Sequence, residues 1–331
     1  MRKTDFYGMN IVSFLYAAAI VIMSAVFLTG CGASDSTESA EDTETEISSG
    51  VLHESGDYAA SYESGDAAGD ESSDACASWL DCTHLIAHAG GGVAEDDGEY
   101  TYTNSMEAFC MNYKLGHRVF EFDFLPTTDG DLACTHEWPD DVELSSEEWL
   151  STTVDTEGKY SYTTMVIGDV YDLMLEFPDT YIVTDTKLTD PDDVAAEFQI
   201  LYEKAAERDI SLLDRVVPQI YTDEMYDVIM EVYDWPSIIY TTYKTRKDES
   251  VTADDILSFA ASKDNIDVIT ASRKDTRFQD EGVQKVHDAG MLLFVHTIDD
   301  MDELVSFEEA GADGFYTNFI TPDEFLEECG L

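Results

Sequence analysis

Positive charge is what this sequence has least of. Its 331 residues include 17 Lys and Arg against 71 Asp and Glu, a formal net charge of −54. A surface so acidic repels a phosphate backbone, which excludes nucleic acid as a partner. The six cysteines fall in no spacing that suits a zinc site. The stretch Ala89-Gly90-Gly91-Gly92 is followed by no Gly-Lys-Ser/Thr, so a nucleotide phosphate loop is excluded as well. Long apolar runs are missing apart from one, Ile11 to Leu28.

That run follows a basic Met-Arg-Lys start and ends in Leu28-Thr29-Gly30-Cys31, the pattern of a secretory signal over residues 1–30. The quartet resembles the bacterial lipobox, which implies cleavage before Cys31 and acylation of its thiol. Acyl chains anchor at roughly 0.8 kcal/mol per buried methylene, stably when two are present. The expected location is therefore the extracellular face of the bacterial cell membrane, held through Cys31. Residues 31–75 are mostly Ser, Thr, Asp, Glu, Gly and Ala, with thirteen acids, no Lys or Arg, and Glu-Ser-Gly-Asp at both 54 and 63. Such a segment repels itself and has too few large apolar groups for a core, so it is expected to be a disordered tether. The domain is then 76–331, which keeps −42 of the charge after one net positive charge in 1–30 and thirteen negative ones in 31–75 are set aside. It is expected to be a monomer.

With Cys31 acylated, five cysteines remain, and an odd number leaves at least one free thiol. Cys110 on a helix and Cys134 on a strand read as packed small hydrophobes. Cys76 and Cys82 can close a short loop, or one of them can reach Cys329; the pattern leaves both open.

Past residue 84, nine runs rich in Val, Ile, Phe and Tyr begin at Leu85, Val119, Leu132, Tyr181, Val216, Ser237, Asp267, Leu292 and Gly314. Amphipathic helical patterns lie between them, which predicts a parallel sheet with helices outside. The linker from Val119-Phe-Glu-Phe-Asp-Phe124 to Leu132 is too short for a parallel crossover and carries Asp129-Gly130. The third run is thus a β-hairpin excursion after strand two, and the other eight form an α/β TIM (β/α)8 barrel. A two-residue turn pairs 128 with 131 and sets Asp123 opposite His136. Period two then puts Glu121 on the same face. Three ionisable groups buried at the carboxyl end of a barrel strand point to a metal and to catalysis, because active sites lie there.

These motifs resemble the glycerophosphodiester phosphodiesterase family, in the superfamily shared with phosphatidylinositol-specific phospholipase C. The resemblance rests on His-Ala-Gly at 88, Thr-Asn-Ser at 103, Glu-Phe-Asp at 121, Thr-Thr-Asp-Gly at 127, His-Glu-Trp at 136 and Asp-Thr-Lys at 185. It is completed by Phe-Val-His-Thr-Ile-Asp-Asp from 294 and Gly-Ala-Asp-Gly-Phe-Tyr-Thr-Asn-Phe from 311. It implies a metal-dependent hydrolase of a glycerophosphodiester, a lysophospholipid or a glycerophosphate polymer. It also implies Ca²⁺ or Mg²⁺ on Glu121, Asp123 and Asp185, with His88 and His136 as general acid and base. Lys187 is implied as a phosphate contact, whereas His296 and Trp138 read as pocket walls rather than catalysts. Imidazoles titrating near ~6.5 suit acid–base work on a phosphodiester.

The sequence departs from the family at Ala89, where an arginine is usual, and at Thr103, where a glutamate is usual. Asp185 is one methylene shorter than the usual glutamate. Losing a charge-assisted phosphate contact costs on the order of 1.5–3 kcal/mol, and Lys187, Arg118 and Arg273 are candidates to compensate. The alternative reading is a weakly active or inactive barrel lipoprotein that binds a phosphorylated or polyol ligand. His84, His117 and His287 fall on element edges or helices and read as surface residues.

Overall fold

Eight of the nine apolar runs become parallel strands that close on themselves. The structure is a computed structural model that describes residues 76–331 except Glu157 and Glu249. The expected signal, the tether and Cys31 lie outside the described residues. The strands are β1 (Leu85–Ala87), β2 (Val93–Glu95), β3 (Gly98–Tyr100), β4 (Val119–Pro126), β5 (Leu132–Cys134), β6 (Thr153–Asp155) and β7 (Ser161–Thr163). They continue with β8 (Tyr181–Thr186), β9 (Val216–Ile220), β10 (Ile238–Thr241), β11 (Ile266–Ser272), β12 (Leu292–His296) and β13 (Gly314–Thr317). The barrel runs β1, β4, β8, β9, β10, β11, β12, β13 and closes from β13 to β1; β5 pairs antiparallel with the far end of β4. Two small hairpins, β2–β3 and β6–β7, were not foreseen from the sequence.

The α-helices are α1 (Met106–Lys114), α2 (Ser146–Leu150), α3 (Ile167–Glu176), α4 (Pro191–Ala206), α5 (Asp223–Val232), α6 (Ala253–Ala260), α7 (Glu281–Asp288), α8 (Met301–Glu309) and α9 (Pro322–Cys329). Their starts are set by side chains that take up free backbone N–H groups. Ser105 accepts from Ala108 at the head of α1, and Thr252 and Thr321 make reciprocal capping boxes at α6 and α9.

Alternation divides β4 cleanly. Phe120, Phe122 and Phe124 join the layer between sheet and helices, while Val119 packs inside the barrel with Ile86, Val183, Val217, Ile239, Val268 and Phe294. The amino-terminal end of the barrel is plugged by Trp79, whose indole donates to Ser237 at 2.9 Å and packs edge-on against Phe294. A Cys76–Cys82 disulfide closes the loop that carries this plug, and Cys110, Cys134 and Cys329 are free thiols. Of the two pairings the sequence left open, the local one forms. With one end filled by apolar side chains, the polar inward residues of β4 and β8 are left for the other end.

The hairpin register differs from the expected one by a residue. Phe124 faces Cys134 and Pro126 faces Leu132, and the ladder continues through Thr127 N–H to Asp131 O at 2.9 Å. The loop is therefore three residues, Thr128-Asp129-Gly130, with Gly130 at φ +85°. Asp129 accepts from Thr127 Oγ1 and from the N–H and hydroxyl of Ser146, so it favours the longer loop and ties it to α2. Asp123 consequently lies opposite Thr135, whose N–H donates to Asp123 O at 3.0 Å, and His136 falls beyond the strand in an exposed position.

Candidate active site

Glu121 and Asp123 point into the carboxyl end of the barrel, and Asp185 stands beside Asp123 in the β4–β8 register. The three offer carboxylate oxygens that all lie within 4.8 Å of one another. Glu121 and Asp123 are fully buried and Asp185 half-buried. Glu121 Oε2 accepts from Ala89 N–H at 2.7 Å, whereas its buried Oε1 has no partner among the described residues. Ala89 can present that N–H because it sits in the left-handed region, φ +53°, within the His88-Ala89-Gly90 turn. A non-glycine residue there is strained, as functional sites often are. Asn104, also left-handed at φ +47°, clamps Asp123 twice: Nδ2 donates to Oδ2 at 2.9 Å, and Oδ1 accepts from the backbone N–H at 3.0 Å. Gln219 donates to Asp185 at 3.2 Å and accepts from Tyr316 at 2.8 Å.

Lys187 is the one cation in direct contact with this cluster among the described residues, ion-paired to both Asp123 and Asp185. Burial alone would lower its pKa, but Asp185, Asp123 and Glu121 together raise it. Burial, then repulsion from Asp123 and Asp185, pushes the Glu121 carboxyl well above the usual range. Burial likewise moves Asp185 up to about 6 against the pull of Lys187. Asp123 goes the other way: burial raises it, but the charge of Lys187 and hydrogen bonds from Lys187 and Asn104 outweigh that. One ammonium is thus shared among three carboxylates, two of which resist ionising. The all-oxygen donor set and the orphaned Oε1 fit a hard divalent cation such as Ca²⁺ or Mg²⁺.

His88 follows β1 directly, at the edge of the same cavity, a pocket of 60 Å³ lined by His88, Glu121, Asp185, His296 and Tyr316 among others. Its Nδ1 lies 3.0 Å from Asn318 Oδ1. An amide oxygen only accepts, so Nδ1 carries the proton and Nε2 is the basic nitrogen. Asp299 fixes that amide by accepting from Asn318 Nδ2 at 2.8 Å and from its backbone N–H at 2.6 Å. Burial lowers the pKa of His88 more than Asn318 and Asp123 raise it. His296 lines the same cavity with Nε2 unpartnered, and burial holds its pKa at about 4.

His136 and Trp138 line a separate outer groove of 640 Å³ together with Tyr102, Trp149, Glu137, Asp140 and Asp155. Tyr102, at φ +59° and 48% exposed, stands between the two histidines. Its ring packs edge-on against His88 at 4.7 Å and His136 at 5.0 Å. Of the other candidates, Arg118 is engaged by Asp179 and Arg273 by Glu303. His117 is a correction: it is 1% exposed, packed behind β4 rather than on the surface. His84 is half-buried with both ring nitrogens bonded to the carbonyls of Leu80 and Asp313, and half-buried His287 pairs with Asp313.

Asn104, Tyr102, Asn318, Asp299 and Gln219 were given no role from sequence. Asn104, Asn318 and Asp299 lie inside stretches that carried the family resemblance, and that was the available signal; Tyr102 and Gln219 had none.

A closed (β/α)8 barrel with carboxylates and an oriented imidazole at its carboxyl end defines a barrel hydrolase. Residues 96–321 match the Glycerophosphoryl diester phosphodiesterase family, and the chain belongs to that family; it is a phosphodiesterase. Solved structures share the fold. A candidate glycerophosphoryl diester phosphodiesterase from Silicibacter pomeroyi is 17% identical, with TM-score 0.61 over 76% of this chain and 95% of the other. A glycerophosphodiester phosphodiesterase from Parabacteroides distasonis is 14% identical, with TM-score 0.57 over 75% and 96%. A phosphodiesterase from Oleispira antarctica, in complex with the product sn-glycerol-3-phosphate, is 10% identical, with TM-score 0.54 over 76% and 98%. No curated protein matches the chain.

Proposed function

We propose that the protein is a metal-dependent glycerophosphodiester phosphodiesterase of the outer cell surface, with His88 as general base and His136 as general acid. The observation that supports this most is a tautomer-locked imidazole sharing one cavity with Glu121 and Asp185, two members of the three-carboxylate cluster. With its one proton on Nδ1 toward Asn318 and its pKa lowered, His88 is a neutral imidazole that can take a proton at Nε2 from a substrate hydroxyl beside the phosphate. That oxygen then attacks phosphorus. His136, at the edge of the outer groove, gives a proton to the departing alkoxide, and the roles reverse when water opens the cyclic phosphate. Ca²⁺ or Mg²⁺ held by Glu121, Asp123 and Asp185 would neutralise charge on the nonbridging oxygens. Lys187 adds a second positive group beside the same carboxylates, and the outer groove, lined by Trp138, receives the leaving group.

A second reading is a weakly active barrel that only binds, favoured by Ala89 in place of the family's arginine and by Tyr102 standing between the imidazoles. Hydrolysis of a chromogenic phosphodiester and of glycerophosphocholine, with and without chelator, separates the two. Turnover should vanish with chelator and return with Ca²⁺ or Mg²⁺. His88→Ala and His136→Ala should each lower kcat by about 10²–10⁴ with bound metal unchanged. Turnover that survives chelation or both substitutions overturns the assignment, whereas metal and ligand binding without turnover in the wild type identifies the binder. The anchor belongs to this proposal too: labelled palmitate should enter the wild type and not Cys31→Ser.

A further inference from the structure

In a chain so poor in cations, where the cations stand carries information. Six of the 17 Lys and Arg lie in two loops, Lys244, Arg246 and Lys247 after β10 and Arg273, Lys274 and Arg277 after β11. The two strands are parallel neighbours, so both loops leave from the carboxyl end of the barrel, on the catalytic side. Elsewhere among the described residues, Arg118, Lys159, Lys187, Lys204, Arg208, Lys263 and Lys285 each pair with a carboxylate, and Arg215 is taken up by the carbonyls of Thr180 and Met174. Within the two loops, Arg273 pairs with Glu303 and Arg277 with Asp275. Lys244, Arg246, Lys247 and Lys274 make no ion pair among the described residues, although acids outnumber bases fourfold in the chain. Lys244 lies over the faces of Tyr221 and Tyr243, at 5.5 and 5.0 Å, and Arg246 donates to the Ser272 hydroxyl at 3.1 Å.

Of these cations, Lys244 and Arg246 reach residues at the inner cavity, and Lys247 and Lys274 lie in the same two loops. Tyr221 and Tyr243, under Lys244, line the cavity together with His88, Glu121, Asp185 and His296. Ser272, held by Arg246, is the register partner of His296, and the Arg273 N–H donates to the His296 carbonyl at 3.3 Å. The charge of Arg246 also helps to hold His296 neutral. The outer groove is lined by Glu137, Asp140 and Asp155 and by no Lys or Arg. The mouth of the barrel is therefore uneven in charge, with Lys and Arg gathered in the two loops and none lining the outer groove.

We propose that Lys244, Arg246, Lys247 and Lys274 form a second anion subsite that holds a further phosphate of the substrate, so the preferred substrate is a phosphodiester chain with two or more phosphates. This rests on the phosphodiesterase reading and deepens it. A substrate phosphate in the inner cavity can extend in two directions. One is over the outer groove, where Glu137, Asp140 and Asp155 repel a phosphate. The other is over the basic loops, where four cations have no carboxylate partner among the described residues. The remaining −42 charge does not cancel this locally, because charges more than about 8 Å away are largely screened at physiological ionic strength. Exposed ammonium groups give modest contacts individually, so the effect belongs to the set.

The test compares a synthetic glycerophosphate tetramer with glycerophosphocholine as the single-phosphate substrate, for wild type and the triple variant Lys244→Ala/Lys247→Ala/Lys274→Ala. Arg246 is left in place because of its bond to Ser272. In the wild type kcat/KM should favour the tetramer. In the variant the ratio of the two should fall about ten-fold, mostly through KM, and in the wild type the preference should shrink as salt rises from 50 to 500 mM. Thermal unfolding checks that the variant is folded. A ratio unchanged by the substitutions, with both substrates still hydrolysed, overturns the subsite and leaves the phosphodiesterase reading standing. If neither substrate is hydrolysed, that reading fails, and tetramer binding decides the subsite alone: affinity lost in the variant supports it, and affinity retained overturns it. Binding to vesicles of anionic lipid through the same lysines, with no preference for the tetramer, also overturns it.

Discussion

His117 ends the turn before β4 with its ring 1% exposed and Nδ1 without a partner. Burial, helped by the charge of Arg118, lowers its pKa to about 4 against the pull of a hydrogen bond to the Ile320 backbone. In the unfolded chain it titrates near ~6.5, so between those values the unfolded state binds a proton that the native state refuses. Its contribution is complete above pH 6.5 and is lost as pH falls toward 4. Between pH 7.5 and 5 the loss is about 2 kcal/mol. Urea unfolding at both pH values should therefore show a smaller pH difference in His117→Phe than in the wild type. An equal difference would place the acid sensitivity elsewhere. Asn318 acts on a histidine from outside: its amide oxygen sets the His88 tautomer. Asn318→Ala should lower kcat by about ten-fold or more while bound metal stays constant. An altered metal content would instead mean that the substitution disturbs the carboxylates.

At the scale of elements, the strands were legible because their signals are local: β-branched and aromatic runs, period two, and helices between. The eight parallel strands and the hairpin excursion follow from these. The register of the hairpin did not, because Asp129-Gly130 suits both a two-residue and a three-residue loop. What selects the longer one is a contact remote in sequence, Asp129 with Ser146. The slip of one residue moved His136 from the inward face to the open groove. The hairpins β2–β3 and β6–β7 were missed for a related reason, since three-residue strands with exposed sides carry little periodicity. The loop assignment can be checked at Gly130, where an added Cβ would meet nothing within 4 Å, leaving only the cost of φ +85°. Gly130→Ala should cost about 1 kcal/mol in denaturant unfolding and Gly130→Asn less, because Asn tolerates the left-handed region better. Equal costs for the two would contradict a left-handed residue there.

For the molecule as a whole, the carboxylate triad was legible because Glu121 and Asp123 share one strand and Asp185 comes with a motif. The partners that orient the site were less so. Asn104, Asn318, Asp299 and Gln219 converge from four separate segments, and only closure of the barrel brings them together. The same closure concentrates uncompensated negative charge, and that leads to a prediction about cations. A protein with 71 acids gains stability from any added salt, through screening of its self-repulsion. A specific ion must be distinguished from that background, so the measurement belongs in about 150 mM NaCl, where the screening length is already about 8 Å. Added Ca²⁺ or Mg²⁺ at a hundred times its dissociation constant should then stabilise the fold by about 2.7 kcal/mol, read as a rise in Tm. Glu121→Gln keeps the shape of the site and the acceptor for Ala89 N–H but removes one ligand charge, so that rise should shrink sharply. Removing a surface carboxylate such as Asp254 should leave it intact. If both variants respond to the divalent ion as the wild type does, the stabilisation is screening alone, and the triad does not hold the ion.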